Sequence, residues 1–313
     1  MTASPLVSIV VLSYDRPAYL QQALASLTAQ RVTDREIVLV DNRSPSSAEI
    51  ARIAAQFPEV HLLALPDNLG FTGGMNAGIA IAMGQHVLLT EDDLVLDPGC
   101  LDTMLRASAS LGPRSVVTGV LLKHGSRMVH CAGGEVRLGP PFRLEIIGAG
   151  EDVRAVANGP YEVSYAPGSF LLFPRDALRE LGGFRQDYFM YLDDVELCVR
   201  ARRAGLALVV VPQARAAHLP PATGPAPAQL EFHKVKNLLA TYLLHGPTRV
   251  LPEVAARYVL LEAARRLFSG PRSFLPFFRA CVRTTLHAPA LLRDRRLLRA
   301  SARAAIASAP GVP

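Results

Sequence analysis

Continuous apolar segments alternate with amphipathic ones along the first 90 residues of the chain. The apolar segments are as short as strands that are buried on both faces. They lie at 7–12, 36–40, 60–65 and 86–90. Helical spacing follows Pro17, which opens a helix, and recurs near 46–56 and 74–83. This alternation predicts a parallel sheet covered by helices on both faces.

Polar residues stand where three of these strands end. Asp41 follows the second strand, Asn68 the third, and Glu91-Asp92-Asp93 the fourth. The carboxyl ends of parallel strands share one edge of a sheet, where open α/β sheets bind their ligands. The pattern therefore predicts a nucleotide-type crevice at this edge.

The second half of the chain has a more mixed pattern. Strands are predicted at 115–122, 169–173 and 206–211, with a strand or hairpin in the Gly-rich 132–140. Two helices are predicted, one from Pro174 to Leu181 before Gly182-Gly183 and one over 193–204 before Gly205. The Pro-rich 220–227 is expected to be a loop. We expect one α/β fold with a mostly parallel central sheet.

Composition supports a globular protein inside the cell. The chain has 313 residues, of which 50% are hydrophobic and 19% charged. Its four cysteines form no CxxC pair, which favours reduced thiols over disulfides or a zinc site. The N-terminus lacks the pattern of a secretory signal, and no apolar run approaches the length of a membrane span. A cytoplasmic location is expected.

The net charge of +6 is unevenly distributed. Residues 249–313 contain twelve Arg, no Lys and three acids, a net of +9, which leaves −3 for residues 1–248. Leu pairs and Arg clusters alternate in this tail, as in amphipathic helices on an anionic membrane surface. A helical cap with a solvated basic face explains the same pattern. No nucleic-acid partner is expected, because no recognised binding module accompanies the charge.

The acidic cluster at 91–93 has two interpretations. Three adjacent carboxylates repel one another, and a hard divalent cation would relieve that repulsion. A solvated turn is the alternative. A lone His218 is more often packed than a ligand, and His130-Cys131 is interpreted as structural.

A second acidic pair, Asp193-Asp194, begins the helix at 193–204. Asp193 and Glu196 have the spacing of a capping box, so Asp193 is predicted to cap the helix. Asp194 then lies in the first turn, where the helix dipole favours a carboxylate. Its position alone does not distinguish a helix-start acid from a proton acceptor.

Six motifs in order, covering about residues 5–245, resemble the inverting nucleotide-sugar glycosyltransferases of family 2, which have the GT-A fold. The fourth occupies the place of the family's DxD motif, and the fifth that of its acceptor-side block. Their pattern is closest to rhamnosyl- and galactofuranosyl-transferase-like members. The motifs are VSIVVLSYDRP (7–17), VDNRSPS (40–46), NLGFTGGMNAGI (68–79), LLTEDDLVLDPG (88–99), the block from PGSF to RRAG (167–205) and FHKVKN (232–237).

The resemblance implies a role for each matching position. Asp194 corresponds to the family's catalytic base, with Asp193, Tyr191 and Gly168 on the acceptor side. A Mn²⁺ or Mg²⁺ ion is implied, held by Asp93 with Glu91 and His218. Lys236 stands for the family's Arg near the diphosphate, and the 220–231 loop is expected to close over the donor. The implied donor-binding residues are Ser13, Tyr14, Arg16, Asp41, Asn68, Gly70, Asn76, Asp92 and Lys236.

Three regions are expected: a nucleotide-sugar-binding subdomain (1–95), an acceptor-binding and catalytic subdomain (96–248) and a basic helical extension (249–313). The expected reaction moves a sugar from dTDP-rhamnose or a UDP-hexose to a glycan, a lipid-linked or a small-molecule acceptor. The tail would place the enzyme peripherally at the inner face of the plasma membrane. A sugar nucleotidyltransferase and an inactive sugar-binding relative are the alternatives. The chain has no Trp, which excludes the QxxRW element of processive synthases.

Overall fold

The computed structural model of the chain describes residues 4–220, 227–268 and 271–308. Its centre is a ten-stranded sheet, accompanied by a separate two-stranded hairpin of β8 and β9. The strands are β1 Val7–Ser13, β2 Arg35–Asp41, β3 Val60–Ala64, β4 His86–Glu91, β5 Leu94–Leu96, β6 Ser115–Lys123, β7 Val129–Cys131, β8 Gly134–Arg137, β9 Arg143–Ile146, β10 Tyr161–Val163, β11 Phe170–Pro174 and β12 Ala207–His218.

Half of the strands are followed directly by an α-helix, and a group of helices ends the described chain. A π-helical segment, Ala255–Leu261, joins two of them. The helices are α1 Pro17–Thr28, α2 Ser47–Ala54, α3 Gly70–Ile81, α4 Cys100–Leu111, α5 Arg175–Leu181, α6 Asp193–Arg203, α7 Pro227–His245, α8 Leu251–Val254, α9 Glu262–Phe268 and α10 Pro271–Ser308.

The main path of the sheet runs β10-β12-β6-β11-β4-β1-β2-β3. β1, β2, β3 and β4 are mutually parallel, whereas β11 is antiparallel between β4 and β6. β1 is buried along its whole length, as its uninterrupted apolar pattern predicts. This architecture confirms the mostly parallel α/β fold.

Helix α3 begins at Gly70, four residues before the predicted start at 74. Glycines are poor helix formers, but here they allow the helix to lie directly on the sheet. A Cβ atom on Gly74 would come within 2.4 Å of Leu12, and one on Gly78 within 2.3 Å of Val10. Helix α4, between β5 and β6, was not predicted.

The long strand β12 brings the two halves of the sheet edge together. It extends beyond the predicted 206–211 to His218, with an irregularity between Val210 and Arg215. Its end pairs antiparallel with β5, so that His218 lies opposite Leu94. Because Leu94 directly follows Asp93, this pairing positions His218 beside the acidic cluster.

Helix α10 packs on α7 and on the segment around Tyr188. Tyr188, Ala240 and Leu244 form a small core with Leu291 of α10. Arg295 donates hydrogen bonds to the carbonyl oxygens of Leu243 at 2.8 Å and Gly246 at 2.7 Å, at the end of α7. Within the described residues, no helix combines the length and apolar character that crossing a bilayer requires.

The loop predicted at 220–227 largely lies outside the described residues, as 221–226 are not among them. Its expected closure over the donor therefore stays a prediction. All four cysteines are described and are free thiols.

Candidate active site

A cavity of about 560 Å³ opens where β1, β4 and β12 end and α6 begins. It is lined by residues from both halves of the chain, from Arg16 to His218. Seven residues predicted for the site line it. They are Arg16, Glu91, Gly168, Tyr191, Asp193, Asp194 and His218.

Arg16 supplies the nearest positive charge to the acidic cluster. Its Nη1 lies 2.5 Å from Asp93 Oδ2, 3.3 Å from Asp92 Oδ1 and 3.9 Å from Glu91 Oε2. Burial lowers the pKa of Arg16, but the three carboxylates outweigh it and leave the pKa raised. Burial, reinforced by Asp93, raises the pKa of Glu91 well above its usual range. The cluster thus brings together three acidic groups whose ionised forms are only partly compensated by Arg16.

Asp92 is turned toward the end of β1. It is buried, and its Oδ2 accepts hydrogen bonds from Ser13 Oγ at 2.7 Å and the Tyr14 N–H at 3.2 Å. Burial raises the pKa of Asp92 to about 7, in spite of Arg16 and Ser13. Asp92, Ser13 and Tyr14 therefore brace one another. The structure does not place these three among the cavity-lining residues, where donor contacts were expected.

Asp93 and His218 have the chemistry to hold a divalent cation. Asp93 Oδ1 is buried without a hydrogen-bond partner, and its Oδ2 lies 3.7 Å from His218 Nε2. A carboxylate and an imidazole together suit Mn²⁺ better than Mg²⁺. No group of three or more His, Cys, Asp or Glu side chains among the described residues is arranged to hold a metal. The pair thus fits a metal as part of a site, with further ligands to come from outside the protein.

His130 belongs to the cavity, contrary to its interpretation as structural. Its ring stacks on that of His218 with centroids 4.7 Å apart, and both rings line the cavity. Burial, followed by the proximity of His218, lowers the pKa of His130. The sequence held no signal for this contact, because β7 and β12 meet only through the sheet. Cys131, its neighbour, also lines the cavity.

The prediction that Asp193 caps α6 is wrong. Asp193 is the first helical residue, and the cap position belongs to Leu192 in a left-handed conformation with φ of 57°. Glu196 is fully buried instead of closing a capping box, bonded to Arg200 at 2.7 Å and His245 at 3.0 Å. Because these two partners hold the Glu196 carboxylate inside the fold, it does not reach the start of the helix.

Asp194 is held by Tyr165, which is not among the predicted site residues. Tyr165 Oη donates to Asp194 Oδ2 at 2.6 Å, and the Val195 N–H donates to Oδ1 at 2.8 Å. Burial raises the pKa of Asp194, and the hydrogen bond from Tyr165 opposes that effect. A Cβ atom on Gly168 would lie 3.1 Å from Asp194 Cβ, so glycine makes room for the acid. The aromatic residue shortly before Gly168 was the available signal.

Burial and the adjacent Asp194 raise the pKa of Asp193 well above its usual range. Two neighbouring carboxyl groups with raised pKa values in one cavity are typical of functional sites.

The segment leading to α6 adopts an unusual backbone. Phe189, Tyr191 and Leu192 all have positive φ, between 57° and 67°. Non-glycine residues in this region carry strain that the surroundings must hold. Asn237 of α7 supplies part of that support. Its Nδ2 donates to the carbonyl oxygens of Tyr188 at 3.0 Å, Met190 at 2.8 Å and Tyr191 at 2.7 Å.

The turn after β3 contacts this strained segment. Gly70 has a φ of +70°, and a Cβ atom there would come within 2.4 Å of the Phe189 carbonyl oxygen. Asn42 donates to Asn68 Oδ1 at 3.2 Å and to the Gly70 carbonyl at 3.0 Å. Asn68 and Gly70 therefore shape the turn. Asp41, buried at the end of β2, accepts from the Ser44 N–H at 3.0 Å.

Two predicted donor-binding side chains bond to the protein instead. Asn76 pairs with the backbone of Phe184, donating at 2.7 Å and accepting at 2.8 Å, so both ends of its carboxamide are occupied. Lys236 donates to the carbonyl oxygens of Asp187 and Tyr188, and burial lowers its pKa to about 8. Neither lines the cavity, because the tertiary fold gives each a main-chain partner.

Known proteins match most of this chain. The family model for glycosyltransferase like family 2 matches residues 4–237. The N-acetylglucosaminyl-diphospho-decaprenol L-rhamnosyltransferase of Mycobacterium tuberculosis is 28% identical over 235 residues, covering 68% of this chain and 76% of the relative.

Two solved structures share the fold. GalNAc-T7 with UDP, GalNAc and Mn²⁺ has a TM-score of 0.66 at 14% identity, covering 89% of this chain, which spans 54% of that one. The mannosyltransferase PcManGT of Pyrobaculum calidifontis, with GDP-Man and Mn²⁺, has a TM-score of 0.54 at 18% identity, covering 100% of this chain and 78% of its own. At these identities the likeness concerns the fold.

Proposed function

The chain belongs to glycosyltransferase family 2 and has the GT-A fold, and on this premise we propose that it transfers a sugar from a nucleotide-diphosphate sugar to an acceptor hydroxyl with inversion. The observation that carries the proposal is one cavity lined by both Asp194 and His218, the latter 3.7 Å from Asp93. Membership of this family argues against the alternative that the chain is a sugar nucleotidyltransferase.

Asp194 is the general base of the proposed reaction. The acceptor hydroxyl loses its proton as it attacks the anomeric carbon, and a carboxylate within hydrogen-bond reach accepts that proton. The raised pKa of Asp194, caused by burial, makes it a stronger base than an exposed aspartate. Attack from the face opposite the leaving group inverts the anomeric configuration. Asp193, Tyr191 and Gly168 border the acceptor side.

Asp93 and His218, with Glu91 close by, hold a Mn²⁺ or Mg²⁺ ion in this proposal. Such an ion neutralises the charge that develops on the departing nucleoside diphosphate. Arg16 already contacts all three carboxylates of the cluster and lines the cavity, so its guanidinium is placed to contact the diphosphate as well.

The donor is proposed to be dTDP-rhamnose or a UDP-hexose, bound mainly by residues 1–95. The relative from Mycobacterium tuberculosis is named as a rhamnosyltransferase acting on a lipid-linked glycan. We propose that the present chain likewise uses a glycan or lipid-linked acceptor and that residues 96–248 bind it. The proposed location is the cytoplasm, at the inner face of the plasma membrane.

A panel of nucleotide sugars tests the donor and metal assignments by thermal stability. The panel contains dTDP-rhamnose, UDP-glucose, UDP-galactose and GDP-mannose, each with Mn²⁺, with Mg²⁺ and with chelator. A bound donor raises the melting temperature by mass action, and we expect one donor to do so only with metal. Asp93→Asn should lose most of that rise, while Asp67→Asn, an exposed control, should keep it. Failure of every nucleotide sugar to raise the melting temperature would overturn the proposal.

A further inference from the structure

One face of helix α10, its inner face, is buried against α7. The residues on this face recur at helical spacing and are almost completely buried. They are Phe277, Ala280, Thr284, Leu291 and Arg295. A helix packed on one side only is expected to present polar residues on the other.

The opposite side of α10 is apolar as well. Leu275, Phe278, Val282 and Leu286 follow one another at intervals of three or four residues, so they share one side of the helix. The exposed fraction of these four residues lies between 41% and 71%. Solvent-exposed apolar residues grouped in this way mark an interaction surface rather than ordinary scatter.

Exposed arginines accompany this apolar stripe. Arg279 and Arg283 lie along one edge of it, and Arg293 and Arg296 continue the same side toward the C-terminus. The one acid of α10, Asp294, is engaged with Arg185 at 3.1 Å. We call the surface formed by Leu275, Phe278, Val282 and Leu286 with these four arginines the outer face of α10.

We propose that the outer face of α10 docks onto the surface of an anionic lipid bilayer. Leucine and phenylalanine side chains bury into the boundary between headgroups and acyl chains, while arginines bind the lipid phosphates. The inference deepens the proposed function, since it names the surface on which a lipid-linked acceptor would be met. Lipid binding itself does not depend on the catalytic assignments.

Charge favours a bilayer over a second copy of the chain. Two outer faces brought together would juxtapose arginines of the same sign, which is unfavourable at an interface. An anionic membrane offers the complementary charge to all of them at once. The high positive charge of residues 249–313, a net of +9, acts in the same direction.

Helix α10 is connected to the elements around the cavity through side-chain contacts. Arg185, which pairs with Asp294 of α10, lies at the start of the segment that leads to Asp193. The inner face of α10 packs on α7, whose Asn237 holds the backbone of that segment. A bilayer bound to the outer face would therefore be separated by α10 from the elements that border the acceptor side.

Vesicle co-sedimentation of the full chain tests the proposal. The probes are vesicles of phosphatidylcholine alone and of an equimolar mixture with phosphatidylglycerol. We expect binding to the anionic vesicles only, weakened by added salt. The double variant Phe278→Asp/Leu286→Asp should bind roughly tenfold or more weakly, because it places charges where apolar side chains enter the lipid. Leu111→Asp, which charges an exposed leucine of α4, should bind like the wild type.

The other outcomes overturn the proposal. They are equal binding of the double variant, equal binding to neutral vesicles, and a wild-type dimer in sedimentation velocity that the double variant dissociates. An unchanged melting temperature and an unchanged donor-induced rise would show that the double variant is folded. Because that rise reports on the donor site, a failure of the lipid proposal is distinguishable from a failure of the proposed function.

Discussion

Tyr165 and Gly168 fix where the Asp194 carboxylate lies in the cavity. The tyrosine hydroxyl holds one carboxylate oxygen at 2.6 Å, and the missing side chain of Gly168 leaves room for the aspartate. The carboxyl groups and thiols that face Asp194 are Asp193, Cys131 and Cys198. Among the residues that the structure describes, Tyr165 alone donates a side-chain hydrogen bond to Asp194. Tyr165 is thus a positioning residue for the proposed base.

Replacing Tyr165 by Phe should move the acid limb of the pH–rate profile to higher pH. A hydrogen bond to the ionised carboxylate lowers its pKa, so its loss raises the pKa. The expected shift is roughly one to two pH units, since a hydrogen bond to a charged group contributes about 1.5–3 kcal/mol. The measurement is kcat/KM against pH with the donor identified by thermal shift.

Tyr161→Phe is the matched control, because Tyr161 donates to the Ala132 carbonyl rather than to Asp194. The acid limb of the pH–rate profile of Tyr161→Phe should lie at the same pH as that of the wild type. A Tyr165→Phe profile that is lower at every pH but unshifted would show that Tyr165 acts only through packing.

Single residues also show where local sequence reasoning reaches its limit. Asp193 and Glu196 have the spacing of a capping box, yet Glu196 is bonded inside the fold to His245. Asn76 and Lys236 match family positions, yet each bonds to backbone carbonyls of a distant segment. These partners lie far away in the sequence, so no local pattern encodes them.

At the scale of elements, α7 braces the strained segment before α6. Asn237 bonds to three of its carbonyl oxygens, and the ring of His233 stacks on Phe189 with centroids 5.0 Å apart. The sequence identified α7 only through the FHKVKN motif. Its bracing role follows from the structure.

Asn237→Ala should therefore weaken both the fold and the turnover. It removes the side-chain donor from the carbonyl oxygens of Met190 and Tyr191, which costs about 1–3 kcal/mol of unfolding free energy. Urea denaturation measures the loss, and kcat should fall as the segment before Asp193 relaxes. Gln229→Ala, at an exposed position of the same helix, should change neither quantity. Unchanged stability of Asn237→Ala would mean that the segment holds its own conformation.

The helices and strands themselves were largely predictable. Runs of apolar residues indicate buried strands, and glycines indicate where helices end. The first four strands and the helix before Gly182 lie within a residue or two of their predicted bounds. The pairing of β5 with the end of β12 was not predictable, since strand partners are set by tertiary packing. That pairing places His218 beside Asp93. The pairing of β6 with both β7 and β12 places His130 against His218.

For the whole molecule, the cavity carboxylates affect stability. Burial raises the pKa of Asp193 well above its usual range in the folded state. The folded protein then binds this proton more tightly than the unfolded chain does. The resulting stabilisation is complete below the unfolded pKa and is lost as pH rises through the folded pKa.

Asp193→Asn, which resembles the protonated acid, should stabilise the protein increasingly with pH. Each unit of pKa difference corresponds to about 1.4 kcal/mol, so a gain of about 1 kcal/mol or more is expected at pH 8 and a smaller one at pH 5. Thermal melts across pH measure it, with Asp67→Asn as the exposed control. A gain that does not grow with pH would show that Asp193 is not held with a raised pKa.

The most direct measurement on the whole enzyme compares donor binding with turnover in Asp194→Asn. The wild type should release nucleoside diphosphate from its nucleotide sugar in the presence of Mn²⁺. Asp194→Asn should lose about 10²–10⁴-fold in turnover, the usual contribution of a general base, while donor and Mn²⁺ raise its melting temperature as in the wild type. Turnover of Asp194→Asn equal to that of the wild type would contradict the assignment of Asp194 as the base of a glycosyl transfer.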